Sequence, residues 1–180
     1  LKDQSWTDED ILKAHNTGDV ESAFKMILAV YKQRLYWHVR KIVVNHDDAD
    51  DAVQSAFIKI WKNLSGFKRQ SKLSTWMYRI ATNEALQLLR SKRPNISIDE
   101  DLSKDVVDLN GVDLDGDEIE EKLQLALLNV PNKQRLVFNM KYFQELKYEE
   151  ISDILGTSVG ALKASYHLAV KKIEKYLNEN

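Results

Sequence analysis

The sequence contains no cysteine and only two prolines and six glycines among its 180 residues. Without cysteine there is no disulfide scaffold, no thiol nucleophile and no cysteine-ligated zinc site, and a reducing cytoplasm is the compartment that fits. So few prolines and glycines favour helices over a turn-rich β fold. No apolar run approaches the roughly 20 residues of a membrane helix, so no membrane insertion is expected. The opening Leu1-Lys2-Asp3-Gln4-Ser5 is polar and carries no signal-peptide core; the missing initial Met reads as trimming. HExxH and Gly-rich phosphate loops are also missing. His15, His38, His46 and His167 are scattered, so no catalytic residue, metal site or cofactor emerges. His38 is expected as an ordinary side chain on a long helix, and His46 beside the acidic turn Asp47-Asp48. The carboxylates of 47–51 read as helix-capping groups rather than metal ligands. Asp113, Asp115 and Asp117 fail as an EF-hand, because Glu118 and Gln124 stand where Gly and Glu are required.

What is present is an ordinary mixture, 43% apolar and 30% charged, with a formal charge of −2. That total hides three blocks: residues 1–94 carry +5, residues 95–121 carry −10, and residues 122–180 carry +3. The middle block has few large apolar residues and no helical stripe. It cannot bury enough surface to offset its ordering entropy, and reads as a flexible, self-repelling acidic linker. The expected architecture is all-α, with two small helical domains, 1–94 and 122–180, joined by that linker.

Local signals place the helices. Thr7 with Asp10 three residues on is an acidic form of an N-cap signature, and Gly18 is the stop. Asp19 caps a second helix whose Val20, Ala23, Phe24, Ile27, Val30, Tyr31 and Leu35 recur at helical spacing as far as Val44. Residues 45–48 break and re-cap the chain, and a third helix spans about 49–64. A basic loop follows over 66–73. Ser74 or Thr75 then caps a fourth helix that ends before Pro94. In the second block, helices are expected over about 118–128, 132–143, 148–155 and 159–177, with a tight Gly156-Thr157-Ser158 between the last two.

Three helices carry more on their outer faces than a plain bundle requires. On the third, Val53, Ala56, Phe57, Ile60 and Leu64 form the core stripe, while Asp51, Gln54, Ile58 and Trp61 point away. Apolar groups among polar ones suit a protein-docking surface; cover by neighbouring helices is the alternative. On the fourth, Met77, Ala81, Ala85 and Leu88 face the core, with Tyr78 and Leu89 beside them. Opposite lie Trp76, Arg79, Asn83, Gln87 and Arg90, and the preceding loop adds Phe67, Lys68, Arg69 and Lys72. Aromatics interleaved with cations suit unstacked bases and phosphates, although a solvated face has the same composition. The pair 148–155 and 159–177 has helix-turn-helix spacing. Ile151, Ile154 and Leu155 pack its first helix, and Leu162, Tyr166, Ala169, Ile173 and Tyr176 or Leu177 its second. Lys163, His167, Lys171 and Lys172 are presented outward, as a recognition helix presents its reading face. A solvated αα-hairpin is the alternative.

These segments resemble a known family. The run from Asp47 through Ala49, Asp51, Val53, Gln54, Ser55, Phe57 and Ile58 to Trp61 looks like region 2.2 of bacterial sigma factors. Ser74-Thr75-Trp76-Met77-Tyr78-Arg79-Ile80-Ala81-Thr82-Asn83 is similar to the junction of regions 2.3 and 2.4, and Arg90-Ser91-Lys92-Arg93 to the basic end of region 2.4. Tyr148-Glu149-Glu150-Ile151-Ser152-Asp153-Ile154-Leu155-Gly156 resembles region 4.2. Two blocks and a short linker match the extracytoplasmic-function (ECF, group 4) sigma factors.

The resemblance implies a transcription initiation factor without chemistry of its own. It would bind core RNA polymerase, recognise −10 and −35 promoter elements and assist melting. Asp51, Gln54, Ile58 and Trp61 would dock on the β′ coiled coil. Phe67, Lys68, Arg69, Lys72, Ser74, Thr75 and Asn83 would capture a flipped −10 base, with Trp76, Arg79, Gln87 and Arg90 along the strand. Lys163, His167, Lys171 and Lys172 would read the −35 element, the second domain would touch the β flap, and an anti-sigma factor would be a further partner. The chain departs from the pattern in its recognition helix. Ala164, Ser165, Leu168 and Val170 stand where arginines are common, and lysine lacks the bidentate fork that reads guanine, which points to more shape-based readout. Ser55 stands where an acidic residue is common. A stand-alone helix-turn-helix regulator accounts for 122–180 but leaves helices 49–64 and 75–93 without a role. An α-helical hydrolase using the acidic turn has no paired acid and base behind it.

Overall fold

Capping chemistry sets where the helices begin in the computed structural model, which describes residues 6–92 and 118–179. Thr7 and Asp10 form a reciprocal capping box: the Thr7 N–H donates to Asp10 Oδ2 at 2.9 Å, and the Asp10 N–H donates to Thr7 Oγ1 at 3.3 Å. This box starts α1 (Asp8–Asn16), and Gly18, in the left-handed region at φ +87°, turns the chain. Asp19 Oδ1 accepts the Ser22 N–H at 3.1 Å and opens α2 (Val20–Val43). Then α3 (His46–Asn63) starts one turn earlier than its apolar stripe suggests. Asn45 Oδ1 caps the Asp48 N–H at 3.1 Å, and Asp47 and Asp48 sit in the first turn, where the helix dipole favours anions. A short 3₁₀ turn (Leu64–Gly66) leads into the loop before α4 (Leu73–Lys92).

In the second block α5 (Glu118–Leu128), α6 (Asn132–Tyr142), α7 (Tyr148–Leu155) and α8 (Val159–Glu179) follow. Thus α5 begins inside the stretch read as linker; residues 95–117 of that stretch, with Asp113, Asp115 and Asp117 of the rejected calcium loop, and Arg93 lie outside the described residues. Among the described residues every regular element is a helix, and no helix is long and apolar enough to cross a membrane.

The periodic stripes become the core. Val53, Ala56, Phe57, Ile60 and Leu64 are all buried, as are Met77, Tyr78, Ala81 and Ala85 on α4 and Ile27, Tyr31 and Leu35 on α2. Each large apolar side chain so buried contributes roughly 1.5–3 kcal/mol. Two ion pairs link α3 to α4: Lys59 with the buried Glu84, and Lys92 with Asp48 at 2.5 Å. A smaller second core holds Ala126, Leu127, Val130, Phe138, Ala169 and Ile173. Leu177, one of two candidates for the end of the α8 stripe, is 42% exposed, while Tyr176 packs against this core.

The two blocks are docked. Leu136, Val137, Met140, Ile151, Ile154 and Leu162 join the same apolar cluster as the first block's core; α7 packs on α4, and α6 on α2. At this seam His38, on the long helix where it is expected, is 2% exposed. The Thr82 hydroxyl donates to the Tyr78 carbonyl at 2.7 Å and therefore accepts from His38 Nε2–H, also at 2.7 Å. Gln144 Nε2 donates to His38 Nδ1 at 2.6 Å. This assigns a neutral imidazole by chemistry.

Burial, assisted by the nearby Lys41 charge and opposed by Gln144, pushes the His38 pKa from 6.5 down to about 3. A folded value below the unfolded one means that the unfolded chain binds more protons between them. The stabilisation is complete above about pH 6.5 and is lost as pH falls toward 3. We expect a loss of about 2 kcal/mol between pH ~7.5 and ~5, read by urea unfolding, with a shallower slope in His38→Gln. Equal slopes in the two proteins would show that His38 is not the group responsible.

Candidate nucleic-acid and polymerase interfaces

The outer face of α3 is built from residues the core cannot use. Asp51 and Gln54 are exposed, and Ile58 and Trp61 remain 54% and 41% exposed. Trp61 is steadied by the edge of Phe24, with ring centroids 4.8 Å apart, so an indole is presented to solvent in a fixed pose. His46, at the other end of α3, meets Tyr36 and Asp50 rather than the acidic turn itself: Nδ1 lies 2.7 Å from the Tyr36 hydroxyl and Nε2 3.5 Å from Asp50 Oδ2.

The face of α4 and its preceding loop is mixed. Lys68, Arg69, Asn83, Gln87 and Arg90 are exposed, and Phe67, Trp76 and Arg79 are half-buried. Phe67 and Trp76 lean together, ring centroids 5.3 Å apart, and form an aromatic corner beside the cations. Arg79 Nε is buried with no hydrogen-bond partner. Thr75 is a correction. At 2% exposure it lies on the core side and does not open onto this face, because the helix starts before it. The first helical bond runs from the Trp76 N–H to the Lys72 carbonyl at 3.1 Å, so neither Ser74 nor Thr75 is the cap. Ser74 is half-buried, and its N–H reaches Asp8 Oδ2 on α1 at 3.4 Å. Lys72 is engaged with Glu150 of α7 at 2.8 Å. Burial works against the Glu150 charge, but the Lys72 ammonium and the Lys147 N–H outweigh it and hold the carboxyl below its usual range.

The third face belongs to α7 and α8. Gly156, left-handed at φ +64°, makes the turn, and the Ser158 hydroxyl oxygen accepts the Ala161 N–H at 3.4 Å in the first turn of α8. Leu162, Ala169 and Ile173 point inward. Lys163, His167, Lys171 and Lys172 are exposed together on the outer side, with the Lys163 ammonium 5.8 Å from the Tyr148 ring centroid. Sequence reasoning missed Asp8, Gln144, Glu84 and Glu150, whose partners lie on other elements.

The described helices align with known sequence families. Sigma-70 region 2 matches residues 27–94, and Sigma-70, region 4 matches residues 120–173. The ECF RNA polymerase sigma factor SigW of Bacillus subtilis (strain 168) is 31% identical, over 93% of this chain and 95% of that protein. The chain belongs to the ECF RNA polymerase sigma factors. It is a promoter-directing transcription initiation factor, from a family that acts by binding rather than by catalysis.

Solved structures share the fold of this sigma factor. The sigma factor RpoE in complex with the anti-sigma factor NepR, from Bartonella quintana, superposes with a TM-score of 0.67 at 22% identity, covering 86% of this chain and 96% of that one. CnrH in complex with the cytosolic domain of CnrY gives 0.71 at 21%, covering 97% and 99%.

Proposed function

We propose that this sigma factor divides its work as its charge blocks divide the chain. Residues 1–94 dock on core RNA polymerase and hold the −10 element, residues 95–117 connect, and the second block, which α5 opens at Glu118, reads the −35 element and meets the β flap. Asp51, Gln54, Ile58 and Trp61 bind the β′ coiled coil. Phe67, Lys68, Arg69, Lys72, Ser74, Trp76, Arg79, Asn83, Gln87 and Arg90 take the melted −10 strand. Extracting a base costs a few kcal/mol, and an aromatic corner flanked by cations supplies stacking and phosphate contacts against that cost. Lys163, His167, Lys171 and Lys172 face the −35 duplex, in which lysine phosphate contacts position the helix more than they specify sequence. For Lys72 to reach a phosphate it must leave Glu150.

The protein supplies no chemistry to the reaction and works in the cytoplasm with the polymerase. An anti-sigma factor is its further partner, supported by the complexes in which the two solved relatives are found.

The observation that carries this reading is the pair Ile58 and Trp61, large apolar side chains left 54% and 41% exposed on one stripe of α3. A fluorescence titration of the labelled protein against bacterial core RNA polymerase at moderate salt tests it. Saturable binding is expected. No binding to core, with tight binding of duplex DNA by the protein alone, would favour a stand-alone regulator instead.

A further inference from the structure

The loop and first turn that present the −10 residues have no cap of their own. Lys72 occupies the cap position, and its side chain has no acceptor. The acceptor comes from α1, 66 residues earlier: Asp8 Oδ2 takes the Ser74 N–H at 3.4 Å. The other carboxylate oxygen, Oδ1, accepts the hydroxyl of Tyr31 on α2. Burial and Asp8 itself push the Tyr31 hydroxyl up, so it stays a proton donor. Next to Asp8, Glu9 reaches Arg69 in the loop at 3.8 Å; Arg69 is held in the left-handed region at φ +55°. Ile11 and Leu12 are buried at 0% and 7%, so α1 is anchored in the core and its carboxylates are held in place. This helix lies N-terminal to the stretch that matches Sigma-70 region 2, which begins at residue 27.

We propose that Asp8 is a positioning residue for −10 recognition: it fixes the start of α4, and so the directions in which Ser74 and Trp76, carried on its first turn, are offered to the melted strand. The inference rests on the −10 reading above and deepens it. A carboxylate at the first turn satisfies an otherwise orphaned N–H and favours the helix dipole. Without it the first turn frays, and the side chains it carries lose their common orientation. Asp8 touches no DNA and acts only through α4.

The test uses holoenzyme assembled from core polymerase and full-length protein. Its readout is affinity for a single-stranded oligonucleotide carrying the −10 sequence, measured beside affinity for core. Asp8→Ala should lower strand affinity roughly fivefold, the size of a lost helix cap, and leave core affinity unchanged. Asp8→Asn, which keeps an uncharged acceptor, should recover part of the loss. Tyr31→Phe, which keeps the ring buried but frees Oδ1, should give a smaller loss in the same direction. Equal losses of strand and core affinity in Asp8→Ala would mean a general structural role and overturn the assignment. Unchanged strand affinity in Asp8→Ala, with Trp76→Ala defective, would overturn it and leave the −10 reading standing. Unchanged affinity in both variants would overturn the −10 reading, and this inference with it.

Discussion

Trp61→Ala should weaken binding to core RNA polymerase by roughly 30-fold while the helices stay folded. Alanine truncation of an aromatic anchor at the centre of an interface costs about 2 kcal/mol or more, which is roughly that factor. Trp61 has the marks of such an anchor. It stands 41% exposed on α3, packed on one side against Phe24 and open on the other. Its loss removes one aromatic contact from the fold, worth about 0.5–1.5 kcal/mol, so the melting temperature should fall only by a few degrees. Ile58→Ala should give a smaller loss in the same direction, because it removes less contact area than the indole does, and at 54% exposure its truncation should cost the fold little. Titration of both variants against core enzyme, with circular dichroism to confirm helicity, separates docking from folding. Unchanged core affinity in both would remove α3 from the interface.

Trp76→Ala should leave core binding intact and reduce open-complex yield about tenfold. One stacked base is worth roughly 1–3 kcal/mol, and the Phe67–Trp76 corner at 5.3 Å is the aromatic surface beside Lys68, Arg69 and Arg79. Asn83→Ala should act similarly. It is exposed on the same stripe, and an amide can accept from and donate to a base edge at once. Permanganate reactivity of promoter thymines reads the melted strand directly. Normal reactivity in both variants, at saturating core, would place −10 capture elsewhere on the chain.

Local periodicity made much of this legible in the sequence. The stripe Val53, Ala56, Phe57, Ile60, Leu64 was readable because helical spacing alone decides which side chains share a face, and all five are buried. The Thr7–Asp10 box, the Asp19 cap and the Gly156 turn were readable because each is completed within three or four residues. Asn45 with Asp48 is a signal of the same kind, and would have put the start of α3 one turn earlier.

What was not legible depends on residues far apart in the chain. No spacing rule brings Asp8 to Ser74, Lys59 to Glu84, Lys72 to Glu150 or His38 to Gln144. His38 was legible as part of the long helix but its burial was not, because the cover comes from α4 and the turn after α6. Thr75 looked like a cap because hydroxyl residues favour helix starts, and like a strand contact through the family resemblance. The actual start two residues earlier turns it toward the core. The outer faces of α3, α4 and α8 were readable as unusual from composition. Their arrangement, with α7 holding Lys72 of the loop before α4, needed the tertiary structure.

The most direct measurement is in vitro transcription of fragmented DNA from the bacterium that carries this gene, by purified core RNA polymerase with and without the protein, with every RNA 5′ end mapped. A promoter-directing initiation factor should create a small set of new 5′ ends, each preceded by the same pair of upstream elements at constant spacing. An active core enzyme whose 5′ ends are identical with and without the protein would contradict that role.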